Sequence, residues 1–208
     1  MPRLYDYLDS GNGYKIRLLF ALLQRPYSWT ELDIMKGETR TPQFLAKNAN
    51  GRIPTLELDD GTFLAESDAI LWYLAEGTPF IPADRVGRAR VLQWMFFEQY
   101  SHEPFVATPR YICRHFPADH PRRAELPARL EKGHAALKVM EGHLATRQFF
   151  VNDRYSIADI ALYAYTHVAP DGGLDLAPYP KVREWLARVA AQPHYVQLLA
   201  VPNKAVAA

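Results

Sequence analysis

A hydroxyl, a carboxamide and two cations crowd one short stretch of this chain: Ser10-Gly11-Asn12-Gly13, then Lys15 and Arg17. If a helix starts here, its first N–H groups lack intrahelical partners and carry partial positive charge, so these donors favour an anion. The same residues also suit a plain turn with a helix cap. A second group is Glu66-Ser67. Its carboxylate can accept from an ammonium. The serine hydroxyl and N–H, at a helix start, can donate to a carboxylate. Ser67 equally suits simple capping. Between the two groups lies Asn50-Gly51-Arg52-Ile53-Pro54. Arg52 offers a cation beside a turn, with Lys36 and Arg40 as weaker cations on the preceding loop; a solvated surface charge is the ordinary role of each.

Other chemistries find no support. Seven histidines are scattered without metal-ligand spacing, there is no H-E-x-x-H, and no glycine-rich phosphate loop is present, so no metal is predicted. The single cysteine, Cys113, excludes an intrachain disulfide or a dithiol pair, and it points to a reducing, cytoplasmic location. Lys plus Arg number 24 against 23 Asp plus Glu, which gives no electrostatic footprint for nucleic acid. No apolar run approaches the ~20 residues of a membrane span.

The two halves of the sequence differ in pattern. In residues 3–76, Arg3–Tyr7 reads as a strand, and Ile16, Leu19, Phe20 and Leu23 form one helical stripe after the Ser10 turn. Ser28–Leu32 reads as a second strand, and Thr41-Pro42 opens a short helix with proline at its first position. Thr55–Leu58 and Thr62–Leu64 make a hairpin across Asp59-Asp60-Gly61, and Glu66–Glu76 is a third helix expected to bury Ile70, Tyr73 and Leu74. The order is βαβαββα, a mixed sheet with helices packed on it. Residues 78–84, rich in chain breakers, read as a linker. Residues 85–208 are helical throughout. Arg85 to about His115 forms a long stretch with Leu92, Met95 and Phe96 on its stripe, kinked or broken at Pro104 and Pro109. Residues 122–145 form a further helix. Ser156-Ile157-Ala158-Asp159 is a capping box ahead of an apolar core helix. Pro180–Ala191 and His194–Ala200 are expected to complete the bundle.

With this order in hand, four local patterns resemble the cytosolic glutathione transferases: Ser10-Gly11-Asn12-Gly13 after the first strand, Asn50-x-x-Ile53-Pro54, Glu66-Ser67-x-x-Ile70, and Ser156-x-x-Asp159. Together they span the chain. The spacing Ser10-x-Asn12-Gly13-x-Lys15 looks closest to the bacterial nu-class group. The resemblance implies a thioredoxin-like N-terminal domain (1–77) that binds glutathione and an all-helical C-terminal domain (85–208) that binds the second substrate. It implies a cis Ile53-Pro54 whose backbone pairs with the cysteinyl unit, Arg52 near the glycine carboxylate, and Glu66 and Ser67 at the γ-glutamyl head. Ser10 and Asn12 would stabilise the thiolate. Tyr7, near the end of the first strand, is the rival donor; Tyr5 and Tyr7 share a strand face, where core packing is the ordinary role.

The activity implied is conjugation of glutathione to electrophiles, or glutathione-dependent reduction of disulfides and hydroperoxides. Alternatives are a non-catalytic binding or interaction protein of the same fold, and a glutathione-dependent isomerase or dehalogenase. Tyr100, His102, Arg110 and Tyr111 are candidates for the second-substrate pocket, although core packing or a solvated face is the commoner fate of each. A homodimer is the family expectation.

Overall fold

The computed structural model describes residues 1–202. By internal contacts the chain divides into two units, Met1–Glu76 joined by the chain from Pro193 onward, and Gly77–Gln192.

The first unit carries a four-stranded sheet in the order β2-β1-β3-β4. β1 (Arg3–Asp6) runs parallel to β2 (Ser28–Glu31) and antiparallel to β3 (Thr55–Glu57), which pairs antiparallel with β4 (Phe63–Ala65). Two α-helices lie between the strands, α1 (Gly11–Leu22) and the one-turn α2 (Pro42–Leu45), and α3 (Ser67–Ala75) follows β4. The expected βαβαββα order is therefore present. Ile16, Leu19 and Phe20 are buried on α1 as the stripe requires, and α1 packs against α3. Tyr73 departs from expectation: it is 52% exposed, while Leu71 and Ala75 are buried beside Ile70 and Leu74. The observed row Ser67, Ile70, Leu71, Leu74 has the i, i+3, i+4, i+7 spacing of one helix face, and Tyr73 stands off it.

The segment His194–Ala200 is a second correction. It forms no helix and groups with the sheet unit, not with the helical bundle. Its backbone serves two buried donors one turn apart on α1: the Tyr14 hydroxyl donates to the Val196 carbonyl at 2.7 Å and Arg17 Nη1 to the Leu198 carbonyl at 2.6 Å. A buried donor without an acceptor is expensive, so these carbonyls satisfy α1 in place of water.

The second unit is helical. α4 (Arg85–Phe97) continues through a π-helical turn (Glu98–His102) into α5 (Glu103–His115). Pro104, which has no N–H to give, sits in the first turn of α5 where the widened turn ends, and α5 runs on through Pro109. The buried row on α4 is Gly87, Val91, Trp94 and Met95. Leu92 is only partly buried, and Phe96 is 67% exposed, contrary to the expected stripe. Two adjacent apolar rows satisfy the same period, and packing selects one of them. α6 (Leu126–Leu144), α7 (Ile157–Thr166) and α8 (Pro180–Ala190) follow. All ten residues of α7 are buried, since α4, α5 and α8 pack around it.

The predicted capping box is present at the start of α7. Asp159 accepts from the Ser156 N–H and hydroxyl on one oxygen, both at 2.9 Å, and from Phe150 N (3.1 Å) and Trp185 Nε1 (2.9 Å) on the other. Burial pushes its carboxyl up to about 6, against the pull of those donors.

His167 caps the other end of α7. Its Nδ1–H donates to the Tyr163 carbonyl at 2.8 Å. Burial holds its imidazole down at about 4, with the Arg110 charge acting in the same direction. A histidine depressed in the folded state stabilises above its unfolded pKa, near 6.5, and loses that contribution as pH falls toward 4. We therefore expect roughly 2–3 kcal/mol of stability to disappear between about pH 7 and about pH 4.5 through this group alone. Urea unfolding at the two pH values measures it. His167→Gln should flatten that limb, and an unchanged acid limb would remove His167 as its cause.

Candidate active site

Strand register gathers the sequence-predicted groups at one end of the sheet. Tyr5 pairs with Thr55, and Thr55 with Ala65. The residues leaving β1 (Tyr7 to Ser10), those entering β3 (Ile53-Pro54) and those leaving β4 (Glu66-Ser67) consequently lie at the same edge. Ser10 and Ile53-Pro54, more than forty residues apart in sequence, become neighbours because β3 runs antiparallel to β1, and Glu66-Ser67 joins them because β4 runs antiparallel to β3.

The α1 entrance is anchored from beneath by Asp6, the last residue of β1. Its Oδ1 accepts from the Tyr7 N–H at 2.7 Å, and its Oδ2 accepts from Arg17 Nε at 2.9 Å. Burial pushes this carboxyl up to about 6 although Arg17 pulls it down. Gly13 is required here: a Cβ at this position would stand 1.5 Å from Asp6 Oδ1. Arg17 is buried and engaged by Asp6 and by the Leu8 and Leu198 carbonyls, so it is a clamp and not the free positive charge the sequence suggested.

Ser10 is the N-cap of α1. Its hydroxyl oxygen accepts from the Gly13 N–H at 3.4 Å, and its own N–H is bound by the Tyr7 carbonyl at 2.8 Å. Asn12, half-buried, lies in the first turn, with its Oδ1 3.4 Å from Ser67 Oγ. Lys15 is fully buried; its Nζ donates to Ser67 Oγ (3.1 Å) and to Asp68 Oδ1 (3.0 Å). The structure thus joins Asn12, Lys15, Ser67 and Asp68 in one network between α1 and α3. Asp68 was not singled out from the sequence. The available signal was a lysine on the face of α1 that must be buried, which requires a carboxylate partner.

The Ile53–Pro54 peptide is cis. Among the described residues, no hydrogen bond engages the Ile53 N–H or C=O. Arg52 is exposed, and its carbonyl is held by Asn48 Nδ2 (2.8 Å) and Thr55 Oγ1 (3.2 Å). Of the weaker cations, Arg40 binds the Asn50 carbonyl at 2.9 Å and Lys36 pairs with Asp33 at 2.9 Å. Glu66 is exposed and has φ of 66°, a region non-glycine residues rarely adopt. Such an outlier costs on the order of 1–3 kcal/mol and tends to mark a functional position. Tyr5, buried, donates its hydroxyl to Glu57 Oε2 at 2.6 Å, whereas Tyr7 is half-buried past the end of β1.

In the helical unit, Tyr100 is 85% exposed on the π-helical turn. His102 is fully buried, its Nε2 2.9 Å from Thr166 Oγ1. Arg110 is buried and pairs with Asp171 at 3.2 Å. Tyr111 is half-buried beside His115 and Phe116. Among the described residues, no group of three metal-ligating side chains comes together, and no helix is long and apolar enough to cross a membrane.

A cis-proline turn, a helix N-terminus and a strained carboxylate converging at one end of a mixed sheet, in a chain with a separate helical unit, define the class: a thioredoxin-like domain joined to a helical domain. Comparison with known proteins gives the family. Residues 10–76 match the N-terminal domain model of glutathione S-transferases and residues 94–193 the C-terminal domain model. A glutathione S-transferase from Pseudomonas fluorescens is 50% identical in sequence and superposes with a TM-score of 0.92, covering 95% of this chain and 98% of that one. The disulfide-bond oxidoreductase YfcG of Escherichia coli is 31% identical over 93% of this chain and 92% of its own length. A Burkholderia graminis glutathione transferase, solved with two glutathione molecules per subunit, is 28% identical with a TM-score of 0.85 over 98% of this chain and 89% of that one. The chain belongs to the glutathione S-transferase family.

Proposed function

We propose that this protein binds glutathione at the end of its sheet, lowers the pKa of the glutathione thiol, and uses the thiolate to reduce small disulfides, with hydroperoxide reduction or conjugation to electrophiles as related outlets of the same thiolate. The observation that carries the reading is the convergence of Ser10, Asn12, cis-Pro54, Glu66 and Ser67 on one sheet edge. A free thiol ionises near pH ~8.5, and each unit of depression requires about 1.4 kcal/mol of preferential thiolate binding. The Ser10 hydroxyl, the Asn12 carboxamide and the N-terminus of α1 supply donors of that kind. Ile53 offers its N–H and C=O to the cysteinyl backbone in the manner of an added strand. Ser67 donates to the γ-glutamyl carboxylate, Glu66 accepts from its ammonium, and Arg52 faces the glycine carboxylate. The Ser10-x-Asn12-Gly13-x-Lys15 loop has no cysteine of its own, so in each outlet the reactive sulfur arrives on the ligand; the disulfide reading is favoured by the similarity to YfcG.

In that reaction the bound thiolate attacks one sulfur of the disulfide. The S–S bond breaks, and the other sulfur leaves as a thiolate and takes a proton. A second glutathione then attacks the mixed disulfide, releasing the second thiol and oxidised glutathione. Of the four residues expected near the second substrate, Tyr100 and Tyr111 retain exposed surface for contact, and His102 and Arg110 would act by holding the helices beneath them. Phe96 and Tyr100, exposed one turn apart, favour a homodimer, and the single cysteine favours the cytoplasm.

The test is retention on immobilised glutathione followed by an activity panel with a disulfide, a hydroperoxide and an aryl halide. Retention with disulfide turnover is expected. A protein that ignores the matrix and turns over none of the three would be a binding or interaction module instead.

A further inference from the structure

The hydrogen-bond network between α1 and α3 has a direction. An ammonium carries three hydrogens and no lone pair, so Lys15 Nζ donates in its contacts with Ser67 Oγ at 3.1 Å and Asp68 Oδ1 at 3.0 Å. Ser67 Oγ, thus occupied as an acceptor, keeps its single hydrogen for donation, and Asn12 Oδ1 stands 3.4 Å away. Lys15 is fully buried and the Asp68 side chain is 13% exposed, so water does not readily replace either member. Of the other charges at this end of α1, Asp6 and Arg17 neutralise each other across 2.9 Å.

We propose that the buried Lys15–Asp68 pair is a positioning device that makes Ser67 an obligate donor, whose one hydrogen passes from Asn12 Oδ1 to the ligand's α-carboxylate when the ligand binds. This rests on the glutathione reading given above. Asp68 neutralises the ammonium, and Lys15 in turn keeps Asp68 from capturing the Ser67 hydrogen. Lys15 acts through Ser67.

The device is tested with S-methylglutathione and its analogue carrying an amide in place of the γ-glutamyl α-carboxylate, each bound by calorimetry. The wild type should prefer the carboxylate form by ~10-fold or more, the size of one charge-assisted hydrogen bond. In Lys15→Met/Asp68→Leu, where an apolar pair of similar volume replaces the ion pair, that preference should fall to within about 2-fold with affinity for the amide form retained. Ser67→Ala, which leaves the ion pair intact, provides a second route and should lose the same preference. A folded double variant that still discriminates ~10-fold, or a Ser67→Ala protein that discriminates like the wild type, overturns the proposal. A wild type that binds neither ligand removes the glutathione reading itself, and this inference with it.

Discussion

Alanine at Ser10 should lower turnover by about 10- to 100-fold at near-neutral pH, the range expected from losing one hydrogen bond to a charged group. The geometry separates two roles of this hydroxyl. Its oxygen accepts from the Gly13 N–H as the cap of α1, which leaves its hydrogen for the sulfur. The cap alone is worth about 1 kcal/mol of stability, a small change in thermal midpoint for a chain of this size. In the proposed binding mode Ile53, Glu66, Ser67 and Arg52 carry the affinity for glutathione, so KM for glutathione should stay within about 3-fold, the pattern of an interaction made chiefly with the reacting charge. Ser10→Thr keeps the hydroxyl and should retain most of the rate. Steady-state kinetics together with ultraviolet titration of the bound thiol read both effects. A Ser10→Ala enzyme of normal turnover beside an inactive Tyr7→Phe would transfer the role to Tyr7, which lies half-buried past the end of β1.

The largest loss of stability should come from Asp159→Ala. Four donors from three segments converge on this carboxylate: the Ser156 N–H and hydroxyl, the Phe150 N–H and the Trp185 indole. Truncation leaves them in a water-free site beside a new cavity, and breaking a buried charged network of this kind costs ~3–5 kcal/mol. For roughly 200 residues that lowers the thermal midpoint by about 10 °C. Asp159→Asn keeps the volume but brings an NH2 among donors, so it should recover only part of the loss. A midpoint within about 2 °C of wild type for Asp159→Ala would show that the network is dispensable. The capping box at Ser156 was visible from spacing, since it is local. That the same carboxylate also ties α8 and the segment before α7 to the core was not, because Phe150 and Trp185 reach it only through the fold.

The same division runs through the molecule. Strand and helix order, the helix start at Thr41-Pro42, the Ser156 cap, the hairpin at Asp59-Asp60-Gly61 and the Ser10 turn were legible because each depends on residues within a few positions of one another. Where two helical rows were equally apolar, the sequence did not choose: Phe96 and Tyr73 lie outward and Val91 and Leu71 inward. His194–Ala200 looked helical by composition, yet Tyr14 and Arg17 on α1 claim its carbonyls. Gly13 read as a turn residue, whereas its actual constraint is the Asp6 carboxylate against its Cα.

By itself, then, the sequence determined the local elements, the absence of a protein thiol in the site loop, and the three short motifs that a tripeptide ligand would require. Tertiary structure decided where those motifs lie relative to one another. Strand register brought Ser10, Pro54 and Glu66 to one edge, and burial of Lys15 against Asp68 turned a cation of undefined role into the head of a directed hydrogen-bond chain. Local hydrogen bonds and period depend on residues near in sequence, whereas the cost of burying a charge depends on whatever the rest of the chain places beside it.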